Sequence, residues 1–555
     1  MRSFAWIFAF VFAIHLPFES SARDLSVSER ARVDAVLDGL VEEGDPGFAI
    51  GVVREGEIAL EHYEGLADLS FEVEIGQATR FNIASNAKQF VGVMALSLAE
   101  QGQIDLDEDF RTYLPDALPL ISQEISVNQL LTHTSGVRDI YELWSLTGIT
   151  WYERPLSTRD AKRLLDLQSE LNFAPGSDYL YSNSNYVLLA QMIENVTAER
   201  FDLYARAFFD ELGMADTGWK RRASNIIPQQ ARPYGDWNGW REFPAIVNLF
   251  GDGYLFTTLK DQLMWEMQVQ GAASELPRGL IEISQRRPDR NLPGNYGYGL
   301  EMSRFGGQPA VSHIGSTGAF NAYVLRLPER QMSVVVMGNT GGVSMVGLGQ
   351  RVMAAILDIP VDQAFDYPAG PDKVLARPTQ REILGLYELG NAGFLKITQR
   401  DGDLYREIEG RDPVRLVHEV GNVWSYETLP ELKIAFDSAP EGTRRLRLFL
   451  PSQPVNTGLK VAPVPNDAGS RESLEKCFLN AETDTWIRFD WQGENDFTMT
   501  KNGRARDARM VGADYIRWNA YRFRFERSAN EDVVRLWVDN NRIRNVRFEL
   551  SNECD

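Results

Sequence analysis

A chain of 555 residues with 44% hydrophobic content has room for about two to four domains, each with a sizeable core. Its formal net charge of −21 argues for solubility and against a nucleic-acid partner, which calls for a basic face. Five histidines without paired spacing argue against a zinc site, and the two cysteines, Cys477 and Cys554, form no local catalytic thiol motif.

Residues 1–22 read as a secretory signal. Arg2 supplies a positive start, Phe4 to Leu16 an apolar core, and Ser20-Ser21-Ala22 a small-residue cleavage site. The apolar run is short for a membrane span and is interrupted by His15 and Pro17. The expectation is a secreted or periplasmic protein with no integral membrane span after cleavage.

Ser26 to Glu42 predicts a helix, with Ser26 and Glu29 spaced as a capping box. Two alternating runs, Phe48 to Arg54 and Ile58 to Tyr63, flank Glu55-Gly56 as a hairpin turn. Next comes Ser85-Asn86-Ala87-Lys88, opening a helix in which Val91, Met94, Ala95 and Leu98 share a face and Gln101-Gly102 closes the pattern. Ser85 and Lys88 thus sit about one turn apart at a helix N-terminus. A serine there can present its amide to an oxyanion, and the dipole and burial lower the pKa of a lysine. Ser-x-x-Lys alone carries little weight, because a chain of this length and composition holds about one by chance.

The stretch to about Trp240 reads as mostly helical. Within it a Pro175-Gly176 turn leads to Tyr181-Ser182-Asn183, and Val187 to Asn195 continues as a helix. Tyr181 offers a phenol that an adjacent ammonium helps to deprotonate, and Asn183 an amide for Lys88 and a substrate carbonyl. Three strand-like runs follow: Pro309 to Gly315, Ala319 to Leu327 and Met332 to Gly338, with a turn at Pro328-Glu329-Arg330 and a helix from Val343 to Leu357. On the first run stand His313, Gly315 and Ser316. Gly315 lets substrate approach the strand, and the Ser316 amide completes an oxyanion hole with that of Ser85. Strands at both ends around a helical insertion predict an α+β domain with an antiparallel sheet.

Asp366 to Thr379 is rich in Pro and Gly and reads as a linker. Beyond it, short alternating strands with Asp-Gly and Asn-Gly turns predict two small β-barrels. Leu404…Val423-Trp424 resembles Phe497…Ile516-Arg517-Trp518 as a sparse internal repeat. Closure of the second barrel pairs its first and last strands, which brings Cys477 to Cys554 for a disulfide in an oxidising compartment. The expected organisation is 1–22 signal, 26–365 catalytic domain, 366–379 linker, and barrels over 380–465 and 470–555.

Taken in order, Ser-x-x-Lys, Tyr-x-Asn and His-x-Gly resemble the penicillin-recognising serine hydrolases, in particular their class C β-lactamase-like branch. Leu130-Leu131-Thr132-His133-Thr134-Ser135-Gly136, Gly251-Asp252-Gly253-Tyr254 and Tyr296-Gly297-Tyr298-Gly299-Leu300 are similar to supporting segments of that family. The resemblance implies Ser85 as acylated nucleophile, Lys88 as its partner, Tyr181 as proton shuttle and Asn183 as substrate anchor, with no cofactor or metal. It leaves open which of Lys88 and Tyr181 takes the first proton. His133 is implied to be structural. Many β-lactamases carry lysine where His313 stands, and a neutral imidazole attracts a carboxylate less. That favours an ester, amide or N-terminal D-residue substrate.

Two C-terminal barrels resemble the D-aminopeptidase architecture, in which a barrel loop reaches the cleft. The candidate loop here is Lys501 to Arg509, with Asp507 its one carboxylate. The expectation is an exported hydrolase of small-molecule or peptide substrates, with D-amino-acid peptides foremost. A carboxylesterase or β-lactamase-like hydrolase, and a penicillin-binding envelope protein that acylates without turnover, stand as alternatives. Homo-oligomerisation stays open.

Overall fold

Valine-rich runs set the middle of the catalytic unit. Phe48–Arg54 and Met332–Gly338 are buried almost throughout, which suits β-branched residues in strands covered on both faces. They pair antiparallel, Phe48 opposite Gly338, at the inside of a six-stranded sheet. Its spatial order is Glu301–Phe305, Gln308–Thr317, Phe320–Leu327, Met332–Gly338, Phe48–Arg54 and Glu57–Glu64. Every neighbouring pair is antiparallel. This computed structural model describes residues 24–554 apart from 150, 245, 247, 272–275, 289–290, 365–372, 390–392, 409–411, 429–431, 441, 450–454, 465–467 and 553. The expected signal and residues 366–372 of the expected linker lie outside the described residues.

Side chains alternate across the sheet, as the pleat requires. Ile50, Val52, Val334 and Val336 pack with helices Val27–Leu37 and Met345–Leu357. Ala49, Val53, Val335 and Met337 face the opposite core, with Leu263 and Trp265 of helix Leu259–Val269. The first helix starts at the Ser26–Glu29 capping box but ends at Leu37, five residues before its expected end. Asp38 leaves helical geometry and Gly39 takes a φ of 70°, so Leu40 and Val41 pack against the core outside the helix. The edge strand Glu301–Phe305 has no clean alternation in sequence, so the pattern alone does not predict it.

Helix Lys88–Glu100 departs most from its pattern. Instead of one apolar face, residues 88–96 and Leu98 are all buried, because the helix runs through the core between sheet and helical subdomain. Of its two buried polar residues, Lys88 and Gln89, the latter accepts from Trp265 Nε1 at 2.8 Å and from the Arg326 guanidinium. Arg326 in turn forms a two-pronged pair with Glu266 at 2.8 and 2.7 Å. Among the described residues no helix is long and apolar enough to cross a membrane.

Two closed eight-stranded antiparallel barrels follow. The first runs from Gly385–Leu389 to Asn456–Lys460 and the second from Cys477–Asn480 to Val546–Ser551, each sealed by pairing of its first and last strands. The sparse repeat falls on matching places. Leu404 and Phe497 are each the second residue of a third strand, while Trp424 and Trp518 lie on fifth strands as the second and fourth residues. Cys477 and Cys554 form a disulfide across the seam of the second barrel.

The second barrel docks on the catalytic unit. Leu146, at the end of helix Ile140–Leu146, is buried in the barrel's own core beside Phe478 and Phe548. Arg138, 1% exposed, pairs with Glu482 at 2.8 Å and donates to the Asn545 carbonyl at 3.2 Å. The first barrel meets the second instead, where Arg522 donates to the Leu389 carbonyl at 3.1 Å and pairs with Glu388 at 3.3 Å.

Candidate active site

The nucleophile turn is built by strain and side-chain caps. Ala84 adopts a φ of 47°, a left-handed conformation that costs a non-glycine residue about 1 kcal/mol. It is held because Asn82 Oδ1 accepts the Ala84 N–H at 2.9 Å and Ile83 N–H donates to the Leu255 carbonyl at 3.0 Å. A 3₁₀ turn, Ala84–Ala87, then feeds helix Lys88–Glu100. Ser85 therefore sits in that turn, one step before the α-helix. A Cβ on Gly315 would lie 2.1 Å from the Ile83 carbonyl oxygen, so glycine is needed there for the strand to press against the turn. That contact, more than substrate access, explains Gly315. It sets Ser316, on the same strand, beside the nucleophile. Gly299 does the same behind the site, its Cβ position 2.4 Å from the Lys88 carbonyl.

Lys88 is wholly buried and held from three sides. Its Nζ donates to Ser85 Oγ at 3.1 Å, to Asn183 Oδ1 at 2.9 Å and to the Asp252 carbonyl. Burial is the main cause that lowers its pKa to about 7, with Arg542 adding to the fall and Asp252 and Asp139 opposing it. The Tyr181 phenol lies close enough to Ser85 for that hydroxyl to favour its ionisation, yet burial, the larger cause, holds its pKa above the ordinary value. The lysine is thus prepared to lose its proton near neutral pH and the phenol to keep its own. Desolvation outweighs the nearby positive charge, so burial raises the pKa of the phenol where an adjacent ammonium alone would lower it.

Asp139 fixes the amide of Asn183. It caps helix Ile140–Leu146 through Oδ1, while Oδ2 accepts the Asn183 N–H at 2.7 Å and Nδ2 at 2.9 Å. This turns Oδ1 of Asn183 to Lys88. Asp252 contributes its carbonyl to Lys88 and, through Oδ2, accepts from the Tyr141 hydroxyl at 2.7 Å. Behind Tyr181 lies a neutral aromatic pack. The His133 ring stands 4.2 Å from that of Tyr181 and 4.5 Å from that of Tyr296. Its Nδ1 accepts from Ser182 N–H and Asn185 Nδ2, and burial holds the ring uncharged.

His313 is equally occupied. Nε2 accepts from the Tyr296 hydroxyl at 2.7 Å and Nδ1 donates to the Ile314 carbonyl at 2.8 Å. Burial, reinforced by Lys88, lowers its pKa to about 3, so it carries no charge at neutral pH. Rather than facing substrate, it ties the strand to Tyr296.

The structure brings Ser85, Lys88, Tyr181 and Asn183 together, and sets the Gly315–Ser316 strand against their turn. Sequence reasoning missed Asp139, Tyr141 and the role of Asp252. Asp139 had a readable signal, an acidic residue directly before an apolar helical pattern. The expected cleft loop is corrected. Lys501 to Arg509 is a strand end, an Asn502-Gly503 turn and part of strand Arg504–Gly512, and its tip bonds the Ser145 and Thr147 carbonyls instead of the catalytic group. Asp507 is exposed opposite Thr498. The segment that does reach the site is 540–545, joining the last two barrel strands, and it brings Arg542 to 5.0 Å from the Tyr181 ring. No local signal marked it, because the barrel seam decides which turn points inward.

Comparison with known proteins agrees with this geometry. A D-aminopeptidase of Gluconobacter oxydans is 28% identical over 374 residues, covering 64% of this chain and 66% of its own. One from Brucella ovis is 30% identical over 349 residues, covering 60% and 62%. The chain thus matches just under two thirds of the length of these relatives. Among solved structures, the octameric penicillin-binding protein homologue from Pyrococcus abyssi shares the fold at a TM-score of 0.55 and 20% identity, over 77% of this chain and 99% of that one. The Beta-lactamase family model matches residues 33–356, which span the sheet, the nucleophile turn and the His313 strand. The chain therefore belongs to the β-lactamase family, a family of serine hydrolases.

Proposed function

We propose that this protein is an exported serine hydrolase that cleaves amide or ester bonds through an acyl-enzyme. The observation that carries this is Lys88, buried, with a pKa near 7 and its Nζ 3.1 Å from Ser85 Oγ. As Ser85 Oγ bonds to the substrate carbonyl carbon, its proton passes to the neutral amine of Lys88. The oxyanion is stabilised by the amides of Ser85 and Ser316. On collapse the bond to the leaving group breaks, and the proton returns from Lys88 to that group by way of the neutral Tyr181 hydroxyl. Water then repeats the sequence on the acyl-enzyme and frees Ser85. Asn183, oriented by Asp139, holds Lys88 and the substrate carbonyl. The relatives named D-aminopeptidase support peptides containing D-residues as the substrate family. Fluorophosphonate labelling followed by peptide mapping tests the reading. Label on Ser85, with Ser85→Ala cutting ester turnover by about 10³-fold or more, is the expected result. Full activity in Ser85→Ala overturns it.

A further inference from the structure

The turn 540–545 of the second barrel is held too firmly to be a casual neighbour of the cleft. Asn540 Oδ1 accepts the Arg542 and Ile543 N–H groups at 2.9 and 3.1 Å, and Ile543 is buried in the barrel core. From the catalytic side, Asn172 donates to the Arg542 carbonyl at 3.3 Å and accepts the Arg544 N–H at 2.8 Å. The backbone of Arg542 is therefore fixed from both domains.

Its side chain is differently placed. The guanidinium lies 5.0 Å from the Tyr181 ring centroid and 3.8 Å from Asp139 Oδ2, and the side chain is 41% exposed. Asp139 already accepts four N–H groups, two from the start of its own helix and two from Asn183. The 3.8 Å contact with it is Coulombic and lies beyond the range of a hydrogen bond, so the planar N–H fork of Arg542, partly exposed beside the Tyr181 ring, is not tied to that carboxylate. A fork of this kind fits a carboxylate in two-pronged fashion. His313 is bonded at both ring nitrogens, so it offers a substrate anion nothing.

We propose that Arg542 is a specificity-determining residue that binds a carboxylate on the substrate, so that the site takes acidic esters or amides ahead of neutral ones and ahead of substrates with a free ammonium. This rests on the acyl-enzyme reading above. The carboxylate stands on either the acyl or the leaving side of the scissile bond, and the test separates the two.

Steady-state kcat/KM is measured for p-nitrophenyl butyrate against mono-p-nitrophenyl succinate, for hippuryl-phenyllactate against its methyl ester, and for D-alanine p-nitroanilide. The expected result is a preference of tenfold or more for the acid in one of the two pairs. Arg542→Gln reduces that ratio at least tenfold, Arg542→Lys recovers part of it, and Arg542→Glu raises the cationic anilide relative to the acid. Equal kcat/KM within both pairs, or a ratio that survives in Arg542→Gln, overturns the proposal while leaving Ser85-dependent hydrolysis intact. Should no substrate turn over, the acyl-enzyme reading fails separately. Calorimetric binding of N-phenylsuccinamic acid, N-benzoylglycine and their methyl esters to Ser85→Ala protein then decides the role of Arg542. Tighter binding of one acid, lost in Ser85→Ala/Arg542→Gln, supports it, and equal affinity of acid and ester in both pairs overturns it.

Discussion

The two barrels share strand number, closure and even the placement of Leu404 and Phe497, yet they do different work. The first closes without a disulfide and leans on its twin through Arg522. The second takes Leu146 of the catalytic unit into its core, sets Glu482 against the buried Arg138, and projects Arg542 at Tyr181. A barrel scaffold is therefore neutral. Which turns face the catalytic unit decides whether it is a spacer or a wall of the site.

The contrast can be broken experimentally, first at the disulfide. The Cys477–Cys554 bridge closes 77 residues of sequence, and chain-entropy reasoning gives it about 4 kcal/mol. The double Ser variant should unfold its second barrel at markedly lower urea, seen as a split transition, with the first barrel's midpoint unmoved. Next are two core truncations of equal chemistry. Leu146→Ala and Leu446→Ala each empty a fully buried site and should cost about 3 kcal/mol in chemical denaturation. Only the former should also lower kcat/KM, since Leu146, unlike Leu446, packs at the junction of the second barrel and the catalytic unit.

A charge pair gives a smaller version of the same comparison. Glu482→Ala strips the nearer of two carboxylates from an arginine that is 1% exposed, and should destabilise by about 3 kcal/mol. Glu427→Ala removes a surface partner of Arg415 in the first barrel and should cost about 0.5 kcal/mol or less. Matched midpoints for the two variants would remove the asymmetry between the barrels.

The smallest effect is on pH. Lys88 must be neutral to take the serine proton, so kcat/KM on a neutral ester should rise with pH through about 7 and then level. Arg542 disfavours the ammonium and so lowers that pKa, hence Arg542→Gln should move the rising limb to higher pH. Arg406 of the first barrel stacks on Tyr426 at the same 5.0 Å, and Arg406→Gln should leave the limb in place. A limb lying above pH 10 in the wild type would instead assign the first proton to Tyr181.

The amino-acid order alone set the ingredients that depend on neighbours in the chain. Ser85 and Lys88 share a turn because they are three residues apart, Glu55-Gly56 reverses the chain because both residues take positive φ, and the short valine runs at 48–54 and 332–338 suit strands buried on both faces because of their β-branching. The order of three motifs was enough to read the fold and the serine-hydrolase family. Packing settled what distance along the chain conceals. The pKa of Lys88 follows from complete burial among Asn183 and two tyrosine rings of one distant segment and Asp252 of another. His313 lost its expected place facing substrate because Tyr296, from another segment, occupies its second nitrogen. Arg542 lies 361 positions from Tyr181 in the chain, and nothing local distinguishes its turn from the other barrel turns. Short-range geometry is written in residue spacing, whereas desolvation and charge proximity are properties of tertiary structure, and these set the chemistry of the cleft.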